Sequence, residues 1–115
     1  MGASSANLRR GTLELVILRS LSWGALHGYG IAEWIETATS GEFLLEEGTL
    51  YPALHRMEKR GLLRASWGLS EKNRRAKFYE LTPEGEEELA RETRLWTRHA
   101  EAVARALNHP APESP

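Results

Sequence analysis

Apolar positions along this chain follow a helical period three times, switch to alternation, and return to a helical period at the end. Leu13, Val16, Ile17, Leu18 and Leu21 predict a first helix, with Thr12 as its N-cap and Leu15 widening the apolar surface beyond a single stripe. Residues 22–30 hold three glycines and read as a loop and helix start, after which Ile31, Trp34, Ile35 and Ala38 predict a second helix closed by Ser40 and Gly41. Phe43, Leu44 and Leu45 form a short apolar connector seated under the helices it joins. Leu50, Ala53, Leu54 and Met57 then mark one buried face of a third helix, with Thr49 as N-cap, Pro52 in or beside the first turn and Gly61 just past the end. Residues 63–67 and 76–81 alternate as two strands around a polar, glycine- and charge-bearing tip. Leu62, Leu63, Phe78 and Leu81 are expected to close the core.

Thr82-Pro83-Glu84-Gly85 opens the last element, with threonine as cap, proline at the first helical position and acidic residues at the positive end of the dipole. Leu89, Thr93, Trp96, Ala100, Val103 and Leu107 follow a four-three spacing, the seam of a helix that packs lengthwise on another helix. That stripe is longer than a small domain can cover. It predicts a homodimer whose interface is Leu13 and Ile17 of the first helix with Leu89, Trp96, Ala100, Val103 and Leu107 of the last. The expected fold is mainly α with a small β-hairpin: a winged helix-turn-helix over residues 8–81 and a C-terminal dimerisation helix over residues 82–107. Residues 1–7 and 108–115 are expected to be unordered.

Composition narrows the function. The chain has 115 residues, 41% of them hydrophobic, which suits one domain, and it has no cysteine, so disulfides and thiolate metal sites are excluded. Neither a secretion signal nor a membrane span is legible, and a cytoplasmic location is expected. His27, His55, His99 and His109 lack metal-ligand spacing, and no nucleophile motif or phosphate-binding glycine loop is present. No enzyme activity, cofactor or metal is therefore expected.

The formal net charge of -1 hides a segregated distribution. Residues 49–79 carry eight cations against two carboxylates, +6; residues 1–48 carry three against six, and residues 80–115 four against eight. Local field governs association with a polyanion, so the basic third is the expected contact surface. Its candidates are Thr49, Tyr51, Pro52, His55, Arg56 and Lys59 on the outer side of the third helix, and Lys72, Asn73, Arg74 and Arg75 at the hairpin tip. Tyr29, at the start of the second helix, is placed to meet a phosphate. Trp23, Trp34 and Trp67 are expected to pack in the core or wing.

The strings Leu13-Glu14-Leu15, His27-Gly28-Tyr29-Gly30-Ile31, Gly48-Thr49-Leu50-Tyr51-Pro52-Ala53-Leu54, Gly61-Leu62-Leu63 and Tyr79-Glu80-Leu81-Thr82-Pro83-Glu84-Gly85, in that order, resemble the PadR family of bacterial transcriptional regulators. The resemblance implies a dimeric DNA-binding regulator, usually a repressor released by an effector, with the third helix in the major groove of double-stranded DNA. Thr49 and Tyr51 would contact DNA near its start, and two copies imply a palindromic operator. Some small multidrug-sensing members resemble an arrangement in which Trp96 and its partner-chain copy would sandwich a flat aromatic small molecule; the simpler reading of Trp96 is an interface anchor. The alternative function is a winged-helix protein-interaction module that docks an acidic partner through the basic face.

Overall fold

The computed structural model describes residues 3–4 and 10–113. Four helices, α1 (Arg10–Ser20), α2 (Gly28–Ala38), α3 (Glu47–Lys59) and α4 (Pro83–Leu107), are joined by five strands, β1 (Ala3–Ser4), β2 (Leu26–His27), β3 (Phe43–Leu44), β4 (Leu63–Leu69) and β5 (Arg75–Leu81). The mainly α winged-helix architecture follows the sequence pattern.

The core is where the helical stripes converge. Ile17 and Leu18 of α1, Ile31 and Ile35 of α2, and Leu54 and Met57 of α3 are its largest fully buried side chains. Burying each such side chain contributes about 1.5–3 kcal/mol, and these contacts set the angles between the three helices. Leu62, Leu63 and Tyr79 close the cluster from the sheet side. Phe78 and Leu81, expected in the core, are only partly buried. Alternation along β5 sends Tyr79 inward, while the Phe78 ring packs 5.2 Å from that of His27. Burial first, then the nearby Glu58 and Tyr51, push the Tyr79 phenol above its usual range.

The chain's expected stops are well formed and two of its starts are not. Gly61 has φ +79°, and the Leu62 N–H donates to the Met57 carbonyl at 3.0 Å, so α3 ends in a Schellman-type turn. Thr82 caps α4 by accepting from the Gly85 N–H at 3.0 Å, with Pro83 in the first turn. By contrast, Thr12 lies inside α1 and Thr49 inside α3, whose N-cap is Glu46. Pro52 consequently sits in the second turn of α3. Its missing N–H leaves the Gly48 carbonyl without a helical donor, which is tolerated because Gly48 faces solvent.

The sheet has one strand more than the hairpin. β5 lies between β4 and β2 and is antiparallel to both, with Leu63 opposite Leu81 through to Leu69 opposite Arg75, and Leu26 and His27 opposite Tyr79 and Phe78. Segment 22–30 is thus partly strand. A separate parallel pair joins β1 to β3, so Ala3–Ser4, expected to be unordered, is extended and paired. Residues 1–2, 5–7 and 114–115 of the two segments expected to be unordered lie outside the described residues; residues 108–113 hold no helix or strand and are exposed. Within the connector, Leu44 is exposed rather than seated under the helices.

The single chain does not cover α4. Leu89 packs on the core, but Leu95, Trp96, Val103 and Leu107 are 49%, 48%, 43% and 80% exposed. Leu13 and Ile17, expected at a dimer interface, are instead buried in their own domain, where α2, α3 and α4 surround α1. They have no surface to offer a second chain. Among the described residues no helix is long and apolar enough to cross a membrane.

Candidate nucleic-acid interface

One cleft of about 540 Å³ gathers much of the basic segment's aromatic and cationic character; its floor and walls come from the start of α2, the second turn of α3 and the wing formed by β4 and β5. Tyr29, Tyr51, Lys72 and Arg75, all expected site residues, line it. Gly28 explains how these elements come so close. A β-carbon at that position would lie 2.5 Å from the Tyr51 hydroxyl and 2.8 Å from its ring, so glycine is what allows Tyr51 to lie against the first turn of α2. His27 fixes the same turn: its Nδ1 accepts the Gly30 N–H at 2.9 Å, and its Nε2 lies 3.9 Å from the Glu71 carboxylate on the wing.

The wing tip is shaped by its own backbone. The Ser70 N–H donates to the Arg74 carbonyl and the Asn73 N–H to the Ser70 carbonyl, both at 2.8 Å, and Asn73 takes the left-handed conformation at φ +58°. Lys72, Asn73, Arg74 and Arg75 are all exposed. Arg75 stacks on Trp67 at 4.5 Å from the ring centroid, a contact worth about 0.5–1 kcal/mol at an exposed site.

Pro52, His55 and Lys59 occupy the exposed outer side of α3, and Thr49 is half-buried near its start. Arg56 does not share the direction of Tyr51. Five helical residues apart, the two point about 140° away from each other. The Arg56 Nε is buried, 3.9 Å from Glu14 Oε2 on α1, and has no hydrogen-bond partner among the described residues. Its expected place among the groove-facing groups is therefore corrected: it flanks that face and leans towards α1.

Trp67 and Lys77 line the cleft although the sequence assigned neither to it. Trp67 is 61% exposed, as Trp23 is 66%, so neither is core packing; only Trp34 is half-buried. The signal for Trp67 was its register opposite Lys77, two residues from Arg75 across the hairpin. Arg64, by contrast, pairs with Glu80 opposite it at 3.1 Å and takes no part in the cleft.

The arrangement suits a nucleic-acid backbone: hydroxyl and cationic donors for phosphates, aromatic faces for sugars, and an exposed helix beside them. The profile described as the transcriptional regulator PadR-like family matches residues 17–91. A PadR family transcription regulator from hypervirulent Clostridium difficile superposes with a TM-score of 0.72 at 31% identity, over 84% of this chain and 98% of that one. For a transcriptional regulator from Clostridium thermocellum the values are 0.75 and 30%, over 84% and 93%. For a PadR-like transcriptional regulator from Bacillus cereus they are 0.76 and 27%, over 88% and 96%. Fold, basic face and sequence thus agree, and the chain belongs to the PadR-like family of transcriptional regulators, DNA-binding proteins rather than enzymes.

Proposed function

We propose that this chain works in the cytoplasm as a homodimeric repressor of a palindromic operator. The observation that carries the reading is the cleft in which the start of α2, α3 and the wing bring Tyr29, Tyr51, Lys72 and Arg75 together, with His55 and Lys59 exposed on α3 and Arg74 exposed at the wing tip. The thirteen residues of α3 span about 20 Å, and a helix of that length lies comfortably in a major groove about 12 Å wide. Its groove-reading groups are Tyr51, Pro52 and His55; Thr49, about 160° round the helix from Tyr51, stands on the same flank as Arg56. The wing cations, with Asn73, hold phosphates or enter the flanking minor groove, and Tyr29 takes a phosphate at the start of α2.

Dimerisation follows from the uncovered stripe on α4. Trp96, Ala100, Val103 and Leu107 remain the interface candidates, with Leu95 added and the buried Leu13 and Ile17 and the core-packed Leu89 removed. Two α3 helices related by a two-fold axis read two half-sites. The test is binding of the purified protein to the DNA upstream of its own gene and to random duplex across a salt series. A repressor prefers its operator by about 10³-fold or more, binds as a dimer, and weakens steeply with salt. Equal affinity for both duplexes, or a strictly monomeric species, defeats the reading.

Release by a flat aromatic effector is the further part of this proposal. The Trp96 ring is half exposed on α4 and lies 5.7 Å from that of His99, so a two-fold axis nearby would face two indoles across a gap. Flat cationic dyes are expected to quench tryptophan fluorescence saturably, and Trp96→Ala to abolish that quenching. Undiminished quenching in the variant removes Trp96 from the effector site.

A further inference from the structure

We infer that Glu14 is a positioning residue that sets how selectively this protein binds DNA, by holding Arg56 of α3 and Arg60, the cap of that helix, against the body of the domain. The inference rests on the DNA-binding reading above. Glu14 belongs to α1, and its side chain is only 15% exposed. Oε1 accepts from Arg60 Nη1 at 2.8 Å, while Oε2 lies 3.9 Å from Arg56 Nε. Arg60 also reaches Glu88 Oε2 on α4 at 3.7 Å; Glu88, 12% exposed, pairs in turn with Arg91. Three helices are tied together at the last turn of α3.

The consequence lies in which cations remain available. Among the described residues Arg56 and Arg60 are engaged by Glu14, Arg64 by Glu80 and Lys77 by Glu58, whereas Lys59, Lys72, Arg74 and Arg75 have no carboxylate within ion-pair distance. Four of the basic segment's eight cations are therefore paired inside the protein. Affinity for any duplex, whatever its sequence, grows with the number of cations free to displace counterions from phosphates. Holding two arginines back lowers this sequence-blind affinity without touching the groups that face base edges. It also fixes the roll of α3 about its own axis, because the anchor lies on the flank opposite Tyr51. Selectivity is the ratio of operator binding to random binding, and both effects raise it.

Glu14→Gln keeps the side chain's shape and removes its charge. The expected result is tighter binding to random duplex, by about three- to tenfold at low salt, with the slope of log K against log salt steeper by about one to two per chain, and a smaller operator preference. A merely destabilised protein would bind more weakly, so a gain of random affinity separates positioning from folding. Two further variants serve if Glu14→Gln does not fold. Arg60→Gln is expected to leave the random-duplex slope unchanged, and Lys59→Gln to make it shallower by about one per chain. Equal losses in these two variants, or a Glu14→Gln protein that binds random duplex no better than the unchanged chain, overturn the inference. Selective, salt-sensitive binding by the unchanged chain alongside those results would leave the repressor reading intact; no duplex binding at all would end both.

Discussion

Gly85→Ala is expected to cost about 3 kcal/mol or more and to lower the melting temperature by roughly 10–20 °C. Gly85 lies in the first turn of α4 and is buried there. A β-carbon added to it would fall 2.1 Å from the Leu62 carbonyl oxygen and 3.1 Å from the carbonyl carbon. These are backbone atoms and cannot swing aside as a side-chain tip would. The same oxygen accepts the Thr82 N–H at 3.1 Å, and the Gly85 N–H donates to the Thr82 hydroxyl. Relieving the clash therefore breaks the junction that starts α4 beside the base of the wing. Helical conformation does not require glycine here, since Gly85 has no positive φ; close approach does. A melting temperature within about 3 °C of the unchanged protein would show that the α4 junction yields more readily than its contacts indicate.

The largest functional effect is expected from removing Lys72, Arg74 and Arg75 together by alanine substitution. All three are exposed and none is held by a carboxylate among the described residues, so each is free to neutralise a phosphate. Losing three such contacts makes the salt slope shallower by roughly three per chain and weakens binding at 0.1 M salt by about a hundredfold or more. The loss should fall on every sequence alike, leaving the ratio of operator to random binding nearly unchanged, because phosphate contacts carry no base information. Melting should fall by only a few degrees: the Arg75 stacking on Trp67 is lost, but the tip is held by its backbone bonds between Ser70, Asn73 and Arg74, which side-chain truncation spares. Competition binding across a salt series decides it. An unchanged slope would remove the wing from the interface.

Much of this architecture was legible because it obeys local rules. Gly61 and Thr82-Pro83 bound α3 and α4 through conformational preferences that survive in any context, and the stripe from Leu50 to Met57 named the buried face of α3 without ambiguity. What escaped depends on partners distant in sequence. β2 is two residues long, too short for any alternation, and exists only because β5 offers it an edge. The outer side of α3 read as one polar surface, yet Glu14, forty-two positions before Arg56, divides it into a free part and a tethered part. Leu13 and Ile17 belong to a helix that is apolar on more than one side, and periodicity does not say whether the second neighbour is another chain or the same one. Trp67, expected to pack in the core or the wing, lies on the wing, 61% exposed with Arg75 stacked on its ring, a contact between two strands that alternation alone does not reveal.

The short strand β2 has a mechanical consequence. Leu26 and His27 pair with Tyr79 and Phe78, so the residue before α2 and the root of the wing belong to one hydrogen-bonded sheet. Tyr29, two residues further on, and the hairpin tip therefore stand at a span already set in the free protein, like the jaws of a fixed caliper. A helix of DNA gripped by both would have to adjust its own groove width to that gauge, and stretches that flex cheaply would be favoured even where no side chain touches a base.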